Sequence, residues 1–238
     1  MTSLNASDFF DDPQEVALAT AAAAGRTQAV DAAIDAGADP SAVGKDGMSP
    51  LIFALSAQNL DGVRRLAERG ADPNHVPANG MSPMHIAAMM ETSDFLRMLI
   101  GHSGDIELSG RRGKRPLMAA AEAGRTATGR VLIDAGADLD ATDDDGDTAA
   151  ITAAMFNQFE IVVLLLEAGA DPMVRSRTGG NVPYLVQSRK VNPSMPAYEW
   201  QQKARALLEQ KGIAFPVPSP AEERKAAESL QTPSSEIH

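Results

Sequence analysis

The sequence predicts an all-α solenoid of stacked helix-turn-helix units with hairpin tips, and three observations predict it. The triplet Gly-Ala-Asp recurs at Gly37-Ala38-Asp39, Gly70-Ala71-Asp72, Gly136-Ala137-Asp138 and Gly169-Ala170-Asp171, with a degenerate copy at Ser103-Gly104-Asp105, so the aspartates fall every 33 residues. A second series, Gly47, Gly80, Gly113, Gly146 and Gly179, keeps the same period. Ala54, Ala87, Ala120 and Ala153 share one phase of the helix that follows these glycines. Such a unit cannot bury its own apolar face, so stacked neighbours must supply the core.

Each element has a local reason. Helix starts are written at Ser49-Pro50-Leu51, Ser82-Pro83-Met84-His85, Arg115-Pro116-Leu117 and Thr148-Ala149-Ala150. Ser or Thr accepts a backbone N–H at the cap, and proline at the first helical position has its φ preset and needs no donor. A second apolar run precedes each Gly-Ala-Asp, as in Glu160–Glu167. Gly37, Gly70, Gly136 and Gly169 then end that helix in a left-handed turn. The first unit keeps only its helices, Glu15–Ala24 and Thr27–Ala36. In the last unit Val182-Pro183 opens the first helix after one inserted residue near Gly179-Gly180. Residues 188–196 form an insertion there, and Tyr198–Lys211 is the second helix, closed by Gly212.

The period and the copy Met81-Ser-Pro-Met-His-Ile-Ala-Ala88 resemble the ankyrin repeat, whose signature is Thr-Pro-Leu-His-x-Ala. The expected layout is an extension over 1–12 and an array over 13–213. Its six units lie near 13–46, 47–79, 80–112, 113–145, 146–178 and 179–213. A tail over 214–238 is rich in Pro, Ser and Glu; its Ala221–Leu230 stretch suits a short helix as well as disorder.

Composition narrows the function classes. The net charge is -11, which disfavours a phosphate backbone as partner and favours a neutral or basic protein. There is no cysteine, which excludes disulfides, thiolate metal sites and cysteine nucleophiles. The Val16–Ala24 run is too short to span a bilayer and follows acids Asp11, Asp12 and Glu15. As written, the chain reads as cytoplasmic and without membrane insertion; a trimmed export signal would make it periplasmic.

The ankyrin resemblance implies partner binding through the hairpin tips and the concave face of the first helices. It points to Lys45, Met48 and Met81; Arg111, Arg112 and Lys114; Asp144, Asp145 and Asp147; and Arg175 and Arg177 at the tips. On the first-helix ends it points to Met89, Met90, Met155 and Phe156. Exposed methionines suit adaptable contacts, although the same residues can tuck between repeats. The basic tip around Arg111-Arg112 and the acidic tip Asp143–Asp147 either pair loosely or form a bipolar docking edge.

Other chemistry finds little in the sequence. Read as a calcium loop ending at Gly146, the acidic string lacks its first and last ligands, Ala141 and Thr152 standing there. His85 belongs to the repeat signature and is expected to be structural. His75, His102 and His238 form no ligand or triad set. Tyr184, Lys190 and Glu199 would have to converge for an enzyme, and their spacing does not suggest it. No phosphate loop, dinucleotide fingerprint or nucleophile elbow is present, so no cofactor or catalytic residue is expected.

The expected function is therefore non-enzymatic protein binding. Ser7-Asp-Phe-Phe-Asp11, Gly44-Lys-Asp-Gly-Met-Ser-Pro-Leu51, the last-repeat insertion and Gly212-Ile-Ala-Phe-Pro-Val-Pro-Ser-Pro-Ala-Glu-Glu-Arg224 resemble bacterial ankyrin proteins. That resemblance implies an immunity or inhibitor protein that occludes a partner enzyme, such as a secreted lipase-type toxin. The alternative is a general intracellular interaction scaffold.

Overall fold

A computed structural model describes residues 4–231. These residues form helices and no strand, in two compact units that meet between Asp138 and Leu139. His238 and the last residues of the tail lie outside the described residues. Among those described, no helix is long and apolar enough to cross a membrane.

Unit 1 contains α1 (Pro13–Ala23), α2 (Thr27–Asp35), α3 (Pro50–Ser56), α4 (Leu60–Glu68), α5 (Pro83–Ala88), α6 (Asp94–Gly101), α7 (Pro116–Ala123) and α8 (Thr126–Asp134). The first helices of successive repeats pack in one row, α1 on α3, α3 on α5 and α5 on α7. The second helices α2, α4, α6 and α8 pack in another. Unit 2 contains α9 (Ala149–Met155), α10 (Phe159–Ala168), α11 (Val182–Ser188), α12 (Pro196–Gln210) and α13 (Pro220–Gln231). There α9 packs on α10 and α11, and α12 packs on α10 and α11.

The expected caps are made. Ser49, Ser82 and Thr148 accept the N–H of Ile52, His85 and Ile151 at 3.2, 3.3 and 3.2 Å. Arg115 has no capping bond and instead pairs with Glu107 at 2.7 Å. The phase-locked alanines at 54, 87, 120 and 153 are fully buried, so the helix rows meet across methyl groups. Ser103 stands where the other copies carry the helix-ending glycine, and it too adopts a left-handed φ of 66°. The tips close by backbone turn bonds, such as Gly110 N–H to the Lys114 carbonyl at 2.8 Å, and carry no ladder.

The aspartate of the triplet is a turn former. The Asp39, Asp72, Asp105 and Asp171 carboxylates each accept the N–H two residues on, at 2.8 Å. That same second residue bridges to the next repeat. Ser41, Asn74 and Glu107 accept the N–H of Asp72, Asp105 and Asp138 at 3.0, 2.8 and 2.8 Å within unit 1. Asp140 accepts that of Asp171 at 2.8 Å within unit 2.

The ends are closed by non-repeat segments. A single 3-10 turn at Ala6–Asp8 brings Phe10 into a buried cluster with Ala6, Ala19 and Phe53, and Phe9 meets Phe53 edge-on at 6.1 Å. The Phe9 carbonyl accepts the Lys45 N–H at 2.8 Å. At the other end α12 begins at Pro196, two residues before the expected Tyr198, because proline occupies its first turn. The stretch read as helix or disorder is helical: Ser219 and Glu222 form a reciprocal capping box at 3.2 and 2.7 Å, which starts α13.

Candidate protein-binding surface

In unit 1 a groove of about 430 Å³ between α5, α7 and the tips before them combines apolar and charged groups. Met81 and Met89 supply apolar surface, and Arg111, Arg112 and Lys114 supply cations. Five of the expected contact residues thus converge. Arg111 and Arg112 are exposed, while Lys114 reaches Glu122 at 2.5 Å. Arg112 can sit at the tip because it takes a left-handed φ of 58° just before Gly113.

His85 sets this groove's frame. Its Nε2 lies 2.9 Å from the Lys114 carbonyl and its Nδ1 2.7 Å from the Ser82 hydroxyl. The Lys114 carbonyl can only accept, so Nε2 donates, and in the neutral ring that burial favours Nδ1 accepts from the Ser82 hydroxyl. Burial pushes the imidazole below its ordinary value, and the Lys114 carbonyl opposes that only in part. The unfolded chain takes up this proton at about pH 6.5 and the folded chain only at lower pH. His85's contribution is therefore complete above about pH 6.5 and is lost as pH falls toward the folded value. We expect the urea midpoint to fall between about pH 7.5 and about pH 5.5, and to fall less in His85→Gln. Equal slopes in both proteins would refute the neutral assignment.

Other expected residues of unit 1 are engaged in the fold. Met48 packs against the cluster of Ala6, Phe10, Ala19 and Phe53, and Lys45 pairs with Asp11 at 2.7 Å. Met90 is half-buried. The Arg125 guanidinium, which the sequence reading did not single out, donates to the Met89 carbonyl at 2.9 Å and pairs with Glu91 at 2.6 Å.

In unit 2 a second groove, of about 440 Å³, is lined by Met155, Tyr184, Arg189 and Ser176, and also by Ser219, Pro220 and Arg224 of the C-terminal segment. Phe156 is 48% exposed at the end of α9. Arg175 grips both carboxylate oxygens of Glu223, which lowers that acid below its ordinary value. Arg177 donates its side chain to the Asp144 carbonyl and its backbone N–H to the Asp145 carbonyl, the latter at 2.7 Å. Asp143, nearly buried, accepts the N–H groups of Asp145 and Asp147 at 2.9 and 3.0 Å, so it organises the acidic tip. Asp144 is exposed, and Asp145 and Asp147 are half-buried.

A family model described as ankyrin repeats, in three copies, matches residues 18–110 and 84–176. The chain belongs to the ankyrin-repeat family. A crystal structure of an ankyrin repeat domain from Acinetobacter baumannii AYE is similar, with a TM-score of 0.72 at 28% identity over 83% of this chain and 98% of that one. No curated protein matches the chain. Ankyrin repeats are protein-interaction modules, and the chain is a protein-binding domain of that class.

Two features of this ankyrin array escaped the sequence reading. One is the acceptor row Ser41, Asn74, Glu107 and Asp140; its signal was a hydrogen-bonding side chain two residues after each triplet aspartate. The other is an ion network between α2 and α4. Arg65 binds both oxygens of Asp31 at 2.7 and 2.8 Å, and Arg69 reaches Asp31 and Asp35 at 2.6 Å each. Its signal was a separation of 34 residues, one more than the period, from Asp31 to Arg65 and from Asp35 to Arg69. The two guanidiniums hold the Asp31 carboxyl below its ordinary value.

Arg175→Ala should release α13 without unfolding the ankyrin units. Trypsin should cut faster after Arg224 and Lys225, while global stability changes by no more than about 1 kcal/mol. An unchanged cleavage rate would mean that the Glu223 pair does not hold the segment.

Proposed function

We propose that this ankyrin protein is an inhibitor that occludes one dedicated partner, an enzyme of the secreted lipase-type toxin class, and acts as its immunity partner. The observation that carries the binding reading is the unit 1 groove, where Met81 and Met89 lie among Arg111, Arg112 and Lys114. Flexible thioethers adapt to an apolar contact, while the cations select orientation and speed encounter. What supports the inhibitor role is the resemblance of the 7–11, 44–51 and 212–224 segments to bacterial ankyrin proteins. The likeness to a bacterial ankyrin domain is in keeping with it.

A general scaffold would present the same groove, so stoichiometry decides. The immobilised full chain is exposed to its native lysate at moderate salt, and retained proteins are identified by mass spectrometry. The inhibitor reading expects one stoichiometric enzyme whose activity the purified chain abolishes. Many substoichiometric proteins, or a single partner whose activity is untouched, would replace it with the scaffold reading.

A further inference from the structure

The two grooves occupy the same place in the repeat. Moving two periods along the chain carries His85, Met89 and Arg112 of the unit 1 groove onto Ile151, Met155 and Thr178 of the unit 2 groove. In unit 2 the groove is shared with a segment of the chain itself. That segment is held as a peptide ligand would be held. The Gln187 side-chain amide donates to the Val217 carbonyl at 3.1 Å and accepts the Val217 N–H at 2.8 Å. Both bonds go to backbone, so they recognise main chain and not a side chain. Pro220 lies over Gly179, where a Cβ would stand 3.1 Å from its ring. Arg175 then takes the Glu223 carboxylate, and the capping box of Ser219 and Glu222 turns the segment into a helix. The chemistry of this occupant is explicit: a proline-rich stretch that becomes a helix with acids in its first turn.

Among the described residues, the unit 1 groove is lined by residues of its own repeats, and it offers complementary chemistry. Met89 stands where Met155 does, and the tip carries exposed Arg111 and Arg112 beside Lys114. We propose that this groove binds an acidic helix start of a partner protein, of the kind that residues 214–223 present to unit 2. This names the partner's chemistry and rests on the protein-binding reading above. Acids in a first helical turn are favoured by the helix dipole, so such a segment can display carboxylates without losing its fold. Arginine suits them because its planar fork binds a carboxylate through two parallel bonds. An incoming carboxylate would also compete with Glu122 for Lys114.

The test uses the full chain and a fluorescent peptide of residues 214–223, N-acetylated and C-amidated, titrated by anisotropy at low and at physiological salt. We expect saturable binding. Arg111→Glu should weaken it about tenfold and flatten its salt dependence. Replacing both glutamates of the peptide by glutamine should weaken it by about as much. Arg64→Glu, an exposed cation on α4 that does not line this groove, should leave it within about twofold. Circular dichroism checks that each variant keeps its helices. No saturable binding overturns the proposal, and so does binding weakened as much by Arg64→Glu as by Arg111→Glu. Sedimentation that detects self-association abolished by Arg111→Glu would overturn it too, by making a second copy the occupant. The peptide assay does not depend on a native partner. An inhibited enzyme without peptide binding defeats this proposal alone; peptide binding without a dedicated enzyme defeats the inhibitor reading alone.

Discussion

Gly62→Ala should destabilise unit 1 by about 3 kcal/mol, although alanine is normally the better helix former. Gly62 lies in the first turn of α4, where α4 crosses α1. A Cβ there would stand 1.8 Å from the Ala22 carbonyl oxygen and 2.6 Å from its carbon. Both atoms are backbone of a packed helix, so no side chain can rotate away. The intrinsic gain of about 1 kcal/mol from replacing a helical glycine is outweighed by that collision. Gly101, at the end of α6, has nothing within 4 Å of its added Cβ. Gly101→Ala should therefore be neutral or stabilising by up to about 1 kcal/mol. Urea unfolding of both variants checks the pair. If Gly62→Ala were as stable as wild type, α1 and α4 would not pack at this distance.

Phe159→Ala should cost about 3–5 kcal/mol, whereas Phe156→Ala should stay within about 0.5 kcal/mol. The two phenylalanines are three residues apart and differ only in placement. Phe159 opens α10 and is 1% exposed, in the core of unit 2. Truncating it removes buried ring area and leaves a cavity that rigid helix rows cannot close. Phe156 ends α9 at 48% exposure and has little buried area to lose. Amide hydrogen exchange across α9–α12 is the direct readout, because repeat arrays need not unfold as one step. Loss of protection there in Phe159→Ala, with none in Phe156→Ala, is the expected pattern. The reverse would put the core on the other ring.

This pair also shows how far the sequence was legible. Repeat register placed Phe156 at the end of a first helix, where ankyrin arrays meet partners, and its exposure agrees. Register placed Met48 at a tip in the same way, yet Met48 packs against the cluster of Ala6, Phe10, Ala19 and Phe53. The residues that cover it, Ala6 to Phe10, belong to no repeat, so no period could announce them. Arg175 is a similar case. Its partner, Glu223, lies in a segment whose composition suited helix and disorder alike. Contacts made by unique segments depend on where the chain returns, and a local pattern does not encode that return.

The acceptor row shows a different limit. Ser41, Asn74, Glu107 and Asp140 do the same work with four side chains, each accepting the N–H of the next triplet aspartate. A search for identical residues passes over them, because the backbone donor asks only for an oxygen at the right distance.

The sequence by itself determined the helix-turn-helix unit, its period, its caps and the alanine seam. These are local demands: a cap oxygen, a preset proline φ, a left-handed turn, and methyl groups where helices must meet. Tertiary structure alone decided which tip and helix-end residues share a groove and which pack against segments outside the repeats. Lys45 is taken by Asp11, Arg175 by Glu223 and Met48 by the N-terminal segment, whereas Met81, Met89, Arg111 and Arg112 line one groove. The physical reason is that a repeat dictates the same backbone everywhere, but each tip's side chains answer to whatever the rest of the chain lays against them.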